Sequence, residues 1–324
     1  MRSLGAYVVG LTFLESGILA AALGDGRVAF FGPGGVKVPS IVAAHSGACL
    51  SLAADFDGRG VLTGGDDGRL VRTDIAGEVT QLLSVPGRWV EPIAVSAASG
   101  LRATAMGKTA YLVERDGALA ATFDHANAVA GLAFDPKGRR LAAGHYGGVS
   151  LWWAKQGAQE PKRLRWTGSH LALTWSPDGK YIVTTMQGNE LHGWRLSDGT
   201  DMRMSGYPGK VKSMTWLPRG RYLATSGAES VVCWPYHGKL GPMGKAPLEL
   251  GLGFESIVTA VAAHPRDDFI AAGYEDGTAV LLPIDGARAA LVKPPGDGAV
   301  TALAWSADGR DLAIGNERWK ASHE

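Results

Sequence analysis

The residue types able to move protons are spread thinly through the chain. Histidine occurs at His45, His125, His145, His170, His192, His237, His264 and His323, with no close pair along the sequence. His45 with Asp67 is the most suggestive combination, because a carboxylate that orients an imidazole makes a general base. No nucleophile accompanies it. The sequence holds no serine-hydrolase elbow, phosphate-binding P-loop or dinucleotide fingerprint. The glycine-rich runs 24–32 and 64–68 have no following helix to present amides to a phosphate. Cys49 and Cys233 sit in apolar runs and read as reduced core thiols, and no paired Cys or His spacing suits a metal. No catalytic residue, metal or cofactor is therefore assigned.

Binding chemistry is better represented. PKRLRWTGSH, residues 161–170, places Lys162, Arg163 and Arg165 beside Trp166, a combination able to hold and stack single-stranded nucleic acid. The whole chain argues against it. Lys plus Arg is 32 against 31 for Asp plus Glu, a net charge of +1, which supplies no bulk field for nucleic acid or an anionic membrane. Three cations on one strand also serve to protect a sheet edge. Residues 4–24 are apolar enough to suggest a signal peptide or span, but Glu15, Ser16 and Gly17 break the run at a turn. A cytoplasmic protein is the expectation.

What positions these residues is a repeat. LALTWSPDG at 171–179 and VKSMTWLPRG at 211–220 spell nearly the same phrase. Aligned on its terminal turn, eight copies fall at Gly17, Gly58, Gly100, Gly138, Gly179, Gly220, Asp268 and Gly309, with steps of 41, 42, 38, 41, 41, 48 and 41 residues. In each copy a strand of alternating apolar residues meets a polar turn, and a second strand such as VLTGG, YIVTT or FIAAG follows at once. That is a hairpin. A third strand and a more polar fourth complete a unit of about 40 residues, the size of one propeller blade. Phe13, Phe134, Trp175, Trp216 and Trp305 all stand four residues before the turn glycine, where neighbouring units must bury one another's faces. The fold expected is all-β: one domain over 1–324, a propeller of eight blades with seven as the alternative. Its last unit lacks a fourth strand, so a weak seam is expected between first and last blades.

Over nearly all its length the chain resembles the WD40-repeat propellers. His45 and His125 stand where that family's blade-leading histidine stands. Asp25, Asp67 and Asp276 match its tight-turn aspartate, and Trp153, Trp194 and Trp234 its third-strand tryptophan. The resemblance implies that these residues form a structural hydrogen-bond network within blades, so His45–Asp67 becomes cohesion rather than catalysis. The repeats are degenerate. Thr73 replaces Trp in the second unit and Gly147 replaces Asp in the fourth, so no unit holds the full set.

The loops leading into first strands and joining second to third strands carry Trp89, His145, Tyr146, Met186, Gln187, Tyr207, Lys210, Tyr274 and Glu275. Aromatics and Met on turns that sterically ask for Gly, Asn or Asp have the composition of an interface. The function expected is a non-enzymatic scaffold that binds a protein or peptide partner on this face. A central-channel enzyme or ligand site, and a nucleic-acid strip at 161–170, remain as alternatives. The long interval 234–253 is expected to be a surface loop suited to a partner-specific contact.

Overall fold

Alternating apolar residues closed by Gly-containing turns dictate short antiparallel strands, and strands are what form. The computed structural model describes residues 3–35, 39–157, 159–238 and 240–317. Among them the helical segments are two single 3-10 turns, Pro33–Gly35 and Pro218–Gly220. No helix is long and apolar enough to cross a membrane. The apolar N-terminal stretch is a hairpin, with Val8–Phe13 pairing antiparallel to Leu19–Leu23.

Two compact units divide the chain. One comprises Met1–Asp25, Ala29–Pro39 and Gly206–Glu324, and the other Gly26–Val28 and Ser40–Ser205. In the second unit, Cys49–Ala54, Gly60–Gly65, Arg69–Asp74 and Val79–Ser84 form one four-stranded sheet in chain order. Ile93–Ser96, Leu101–Met106, Thr109–Val113 and Leu119–Asp124 form the next. A six-stranded sheet then runs from Val129–Phe134 to Asp201–Met204. The first strands of successive repeats neighbour one another: Cys49–Ala54, Ile93–Ser96, Val129–Phe134, then Lys162–Trp175.

In the first unit, Met214–Trp216, Val258–Ala263, Val300–Trp305 and Val8–Phe13 follow one another in the same way. The hairpin Val300–Trp305/Leu312–Asn316 is two-stranded among the described residues, as its short sequence suggests. The expected weakness beside it is not found at this hairpin. Thr301 Oγ1 donates to Val8 O at 2.7 Å, Ala302 packs against the core cluster that holds Val8, and a Cβ on Gly315 would meet Val8 Cγ1 at 2.6 Å. The repeat tryptophans fasten neighbours as their spacing requires: Trp175 Nε1 donates to Ala133 O and Trp305 Nε1 to Ala262 O, both at 3.1 Å.

Each of the eight repeat phrases lies on an antiparallel hairpin, yet among the described residues six sheets of four or more strands result. The difference has two sources. One is the short last hairpin. The other is continuity of strands. Arg140–Trp153 is 14 residues long, pairing through 141–145 with Val129–Phe134 and through 146–151 with Lys162–Trp175. Lys162–Trp175 likewise continues from one repeat into the next, so two sequence units share one sheet.

Candidate protein-docking site

The turns are held by a polar grammar that recurs in altered form. His45 Nδ1 lies 3.0 Å from Asp67 Oδ1, and its Nε2 lies 2.9 Å from Thr63 Oγ1. Asp67 also accepts from the Ser46 and Arg69 amides and from the Arg69 guanidinium. Burial raises the Asp67 pKa, but Arg69, His45 and the Ser46 amide more than reverse this, holding the carboxyl well below the usual range. Every partner is used in closing the turn, so the pair has no free base to offer.

Elsewhere the grammar is respelled. In the fourth repeat His125 Nδ1 faces Lys108 O at 3.3 Å, so it carries the proton, and its Nε2 accepts from Trp152 Nε1 at 3.1 Å. The tryptophan engaged is thus Trp152 and not Trp153. Trp152 is buried and stacks on Phe123 with centroids 4.6 Å apart, while Trp153 is 49% exposed. The fifth repeat uses His170, 2.8 Å from Thr184 Oγ1, with its ring 5.4 Å from that of Trp194. In the sixth, Trp234 Nε1 donates to Tyr207 Oη at 2.6 Å, Tyr207 to Thr225 Oγ1 at 2.7 Å, and Thr225 to Val232 O at 2.9 Å. Asp276 accepts from the Thr278 amide and hydroxyl, both at 2.8 Å, and Asp25 is exposed at its turn. Thr73 is buried, and its hydroxyl has no partner among the described residues.

Burial sorts the sequence-derived binding residues. Met186, Tyr207 and Tyr274 are buried and present no surface. Met186 ends a second strand whose side chains are all buried, and Tyr274 ends one in which only Phe269 is half-buried. Tyr207 is consumed by its relay, and burial pushes its phenol up to about 12. Gln187, Lys210 and Glu275 are exposed, and His145 is half-buried, fixed by Tyr146 O at 2.8 Å and Ser150 Oγ at 2.9 Å. The histidines expected to be apart are not all so: His125 and His145 ring centroids lie 5.4 Å apart. No cluster of three or more His, Cys, Asp or Glu suited to a metal occurs among the described residues, and His323 lies outside them.

The exposed aromatics that remain are Trp89, 64% exposed, and Tyr146, 54% exposed. Both are projected by rigid backbone. Val90 N donates to Gly65 O at 3.1 Å and its side chain is wholly buried against Leu62, Leu70 and Met106. Its neighbour Trp89 is thereby turned outward, as alternation along extended backbone requires. Tyr146 precedes Gly147 and Gly148, both at positive φ; a Cβ on Gly148 would stand 2.0 Å from Leu164 O, so only glycine closes this turn. Trp89, Arg88, Glu91, Pro92, Ala128 and Val129 are among the residues that line a groove of about 310 Å³. Asn127, next along that segment, donates to Tyr146 O at 3.3 Å, so one three-residue stretch separates the two aromatics.

Trp166 stacks on the buried His192 ring, centroids 4.0 Å apart, which removes that face from any nucleobase. Arg163 faces Glu160 at 3.9 Å and Lys162 Nζ lies 3.5 Å from Leu196 O. In the long interval, Leu240–Met243 and Pro242–Lys245 backbone bonds fold the loop, and Tyr236 packs edge-on against Trp216. Both cysteines are buried thiols outside any disulfide among the described residues, and burial pushes the Cys233 thiol up to about 12.

An all-β repeat protein built of four-stranded units is the class these features define. The WD domain, G-beta repeat family matches at residues 37–71, 117–152 and 251–281. The chain is 29% identical over 184 residues to the Intraflagellar transport protein 172 homolog of Drosophila melanogaster; the match takes in 53% of this chain and 10% of that much longer protein. Two solved structures share the fold at 18% identity. The computationally designed Ika8 protein superposes with a TM-score of 0.77 over 98% of this chain and 95% of its own, and a chain of the Mitotic Checkpoint Complex with 0.61 over 98% and 87%. The three matched repeats and the propeller-like arrangement of blades support a WD40 β-propeller.

Proposed function

We propose that this protein is a non-enzymatic interaction scaffold, and that a protein or peptide segment docks in the groove between Trp89 and Tyr146. The reading keeps eight repeat units in one domain over 1–324 and a cytoplasmic setting. One observation carries it: two large aromatics, more than half exposed, stand on held backbone, Trp89 between the Arg88–Val85 and Val90–Gly65 bonds and Tyr146 within the long paired strand Arg140–Trp153. Rigid exposed aromatics are the residues that dominate binding energy at interfaces, because little entropy is lost when they are covered. His145 and Gln187 extend the polar surroundings of this face within its own unit, and Lys210 and Glu275 are proposed as contacts on the other unit. The relatives agree in kind, since one solved neighbour is a component of a multiprotein complex.

The test is affinity capture from the native cell with wild type and with Trp89→Ala plus Tyr146→Ala. Both residues are exposed, so the variant should unfold at the same denaturant concentration as wild type. The expected result is loss of specific partners on an unchanged fold. Equal recovery by the two proteins would refute the face.

A further inference from the structure

A second groove lies at the other end of the same strands. In the fourth repeat, Val129 pairs with His145 near the Tyr146 turn, whereas Phe134 pairs with Leu141 at the far end. There Ala154 N donates to Arg139 O at 2.8 Å, bringing the end of the third strand beside the 135–140 turn. Lys137, Arg139, Trp153, Lys155, Gln156, Ala98 and Ser99 border a cavity of about 340 Å³.

Its chemistry is lopsided. Three cations line it and no acid does. Asp135, the nearest carboxylate in the turn, is spent on the Arg139 and Arg140 amides and the Arg140 guanidinium. Among the described residues, Lys137, Arg139 and Lys155 make no ion pair. Lys155 also borders the adjoining cavity that Glu114 and Asp124 line, but within this groove the cations repel one another, and an anion relieves that repulsion. A Cβ on Gly138 would meet Ser96 Oγ at 2.3 Å and Ser99 Oγ at 2.8 Å, so the two turns are pressed together and the inaccessible Ser99 hydroxyl has no hydrogen-bond partner.

The wall is apolar and fixed. Gln159 grips Trp153 at both backbone atoms, accepting from its amide and donating to its carbonyl at 2.8 Å each. With Trp152 facing inward, the Trp153 indole is left turned to solvent, and the Arg140 guanidinium lies 5.9 Å from it. An indole held this way meets an aliphatic or aromatic side chain at little entropic cost. The volume sits near the lower end of ligand-pocket sizes, room for a short stretch of extended chain.

We infer that this groove docks an acidic peptide segment of a protein partner, with an apolar side chain on Trp153 and flanking carboxylates on Lys137, Arg139 and Lys155. The site is independent of the Trp89 groove, and Trp89→Ala is the control that separates them.

The probe is a fluorescein-labelled peptide of Glu and Asp with Leu at its centre, followed by fluorescence anisotropy against the full chain. Saturable binding that weakens as salt rises is expected. Lys137→Gln plus Arg139→Gln should weaken it by about tenfold or more, the loss of two charge-assisted contacts. Trp153→Ala should weaken it several-fold, and Trp89→Ala should leave it unchanged. All four positions are exposed, so unfolding midpoints should match wild type and verify the fold. Three outcomes overturn the inference: equal affinity in the charge-removal variant, equal affinity for a Gln and Asn peptide of the same length, or tighter binding of labelled oligo-dT at the same groove. Loss of the Trp89 face with this binding intact would overturn the first proposal alone.

Discussion

Trp234 Nε1 donates to Tyr207 Oη across 2.6 Å, and Tyr207 passes the chain on to Thr225 and the Val232 carbonyl. Tyr207 thus does in the sixth repeat what His125 does for Trp152 in the fourth. A tyrosine hydroxyl can accept and donate at once, which a neutral imidazole achieves with two nitrogens. Tyr207→Phe removes both bonds and leaves the Trp234 N–H unpaired in a half-buried place. We expect a loss of about 1–3 kcal/mol in chemical denaturation. Tyr207→His should recover much of it by accepting from Trp234. A Tyr207→Phe protein as stable as wild type would show the relay to be idle.

Asp55 joins two repeats. Its carboxylate receives Arg102 through two bonds, 2.9 and 2.8 Å, and Arg72 Nε at 2.9 Å, while Arg102 also donates to Glu114 O and lies over the Phe56 ring. Asp55 and Arg102 are both almost wholly buried. Burial raises the Asp55 pKa, and the Arg102 and Arg72 bonds outweigh it, leaving the carboxyl below its ordinary value. Asp55→Ala strands a buried guanidinium, for which about 3–5 kcal/mol is the expected loss. The double variant with Arg102→Leu should lose less than the sum of the two single changes, and a mutant cycle measures the difference. Strict additivity would break the claim.

The repeat was legible because the turn phrase is set by backbone geometry, which leaves little choice beyond Gly and Asp. The His45–Asp67 pair was legible for the same reason. What failed was parity. Trp152 and Trp153 are adjacent, and the extra glycine at Gly147–Gly148 shifts the register between Tyr146 and Gly148, so counting from the turn selects the wrong indole. Tyr207 read as surface because its loop position favours exposure, and nothing local says that Thr225 and Trp234 wait beneath it. Met186 and Tyr274 failed through their place at the ends of strands buried on both faces. The Trp153 groove was invisible for a further reason: Lys137, Arg139 and Lys155 converge only after the turn and the strand end are brought together by the Ala154–Arg139 bond.

His192 should give the fold an acid-sensitive point. It is fully buried, stacked on Trp166, with Asp201 Oδ2 at 3.1 Å but no aligned hydrogen bond to either ring nitrogen. Burial lowers its pKa; Asp201 and Glu190 oppose this and His170 adds to it, with the net value about 4. The folded state therefore stays neutral where the unfolded chain, with a histidine pKa of about 6.5, takes up a proton. Its contribution is complete above about pH 6.5 and is lost progressively as pH falls toward about 4, by at most ~3 kcal/mol. The lowered values of His125 and His170 act in the same sense. Unfolding free energy measured across this range should fall, and His192→Phe, which keeps the stack on Trp166, should flatten the slope. An unchanged slope in that variant would remove His192 from the account.

Lys293 is the least expected of the structural residues, a lysine only 7% exposed at its side chain. Its ammonium donates to the carbonyls of Gly277, Pro294 and Gly296 at 3.0, 3.2 and 2.8 Å, with Asp297 Oδ2 at 3.7 Å. It thereby ties the turn after Phe269–Tyr274 to the loop after Ala290–Lys293. That loop needs a tie, because Asp297 is held at φ 62, a region L-residues avoid. Lys293→Met keeps the length and removes the charge, leaving three carbonyls to find other donors. Since hydrogen bonds from a charged donor are the stronger kind, a loss of about 2–3 kcal/mol is expected. The effect should be local before it is global. The Gly296 amide, which donates to Asp276 O at 2.8 Å, should exchange its hydrogen faster in the variant, while the Ala271 and Ala272 amides within the Phe269–Tyr274 strand keep their relative protection. Uniform loss of protection across both would mean that Lys293 supports the whole unit rather than pinning one turn.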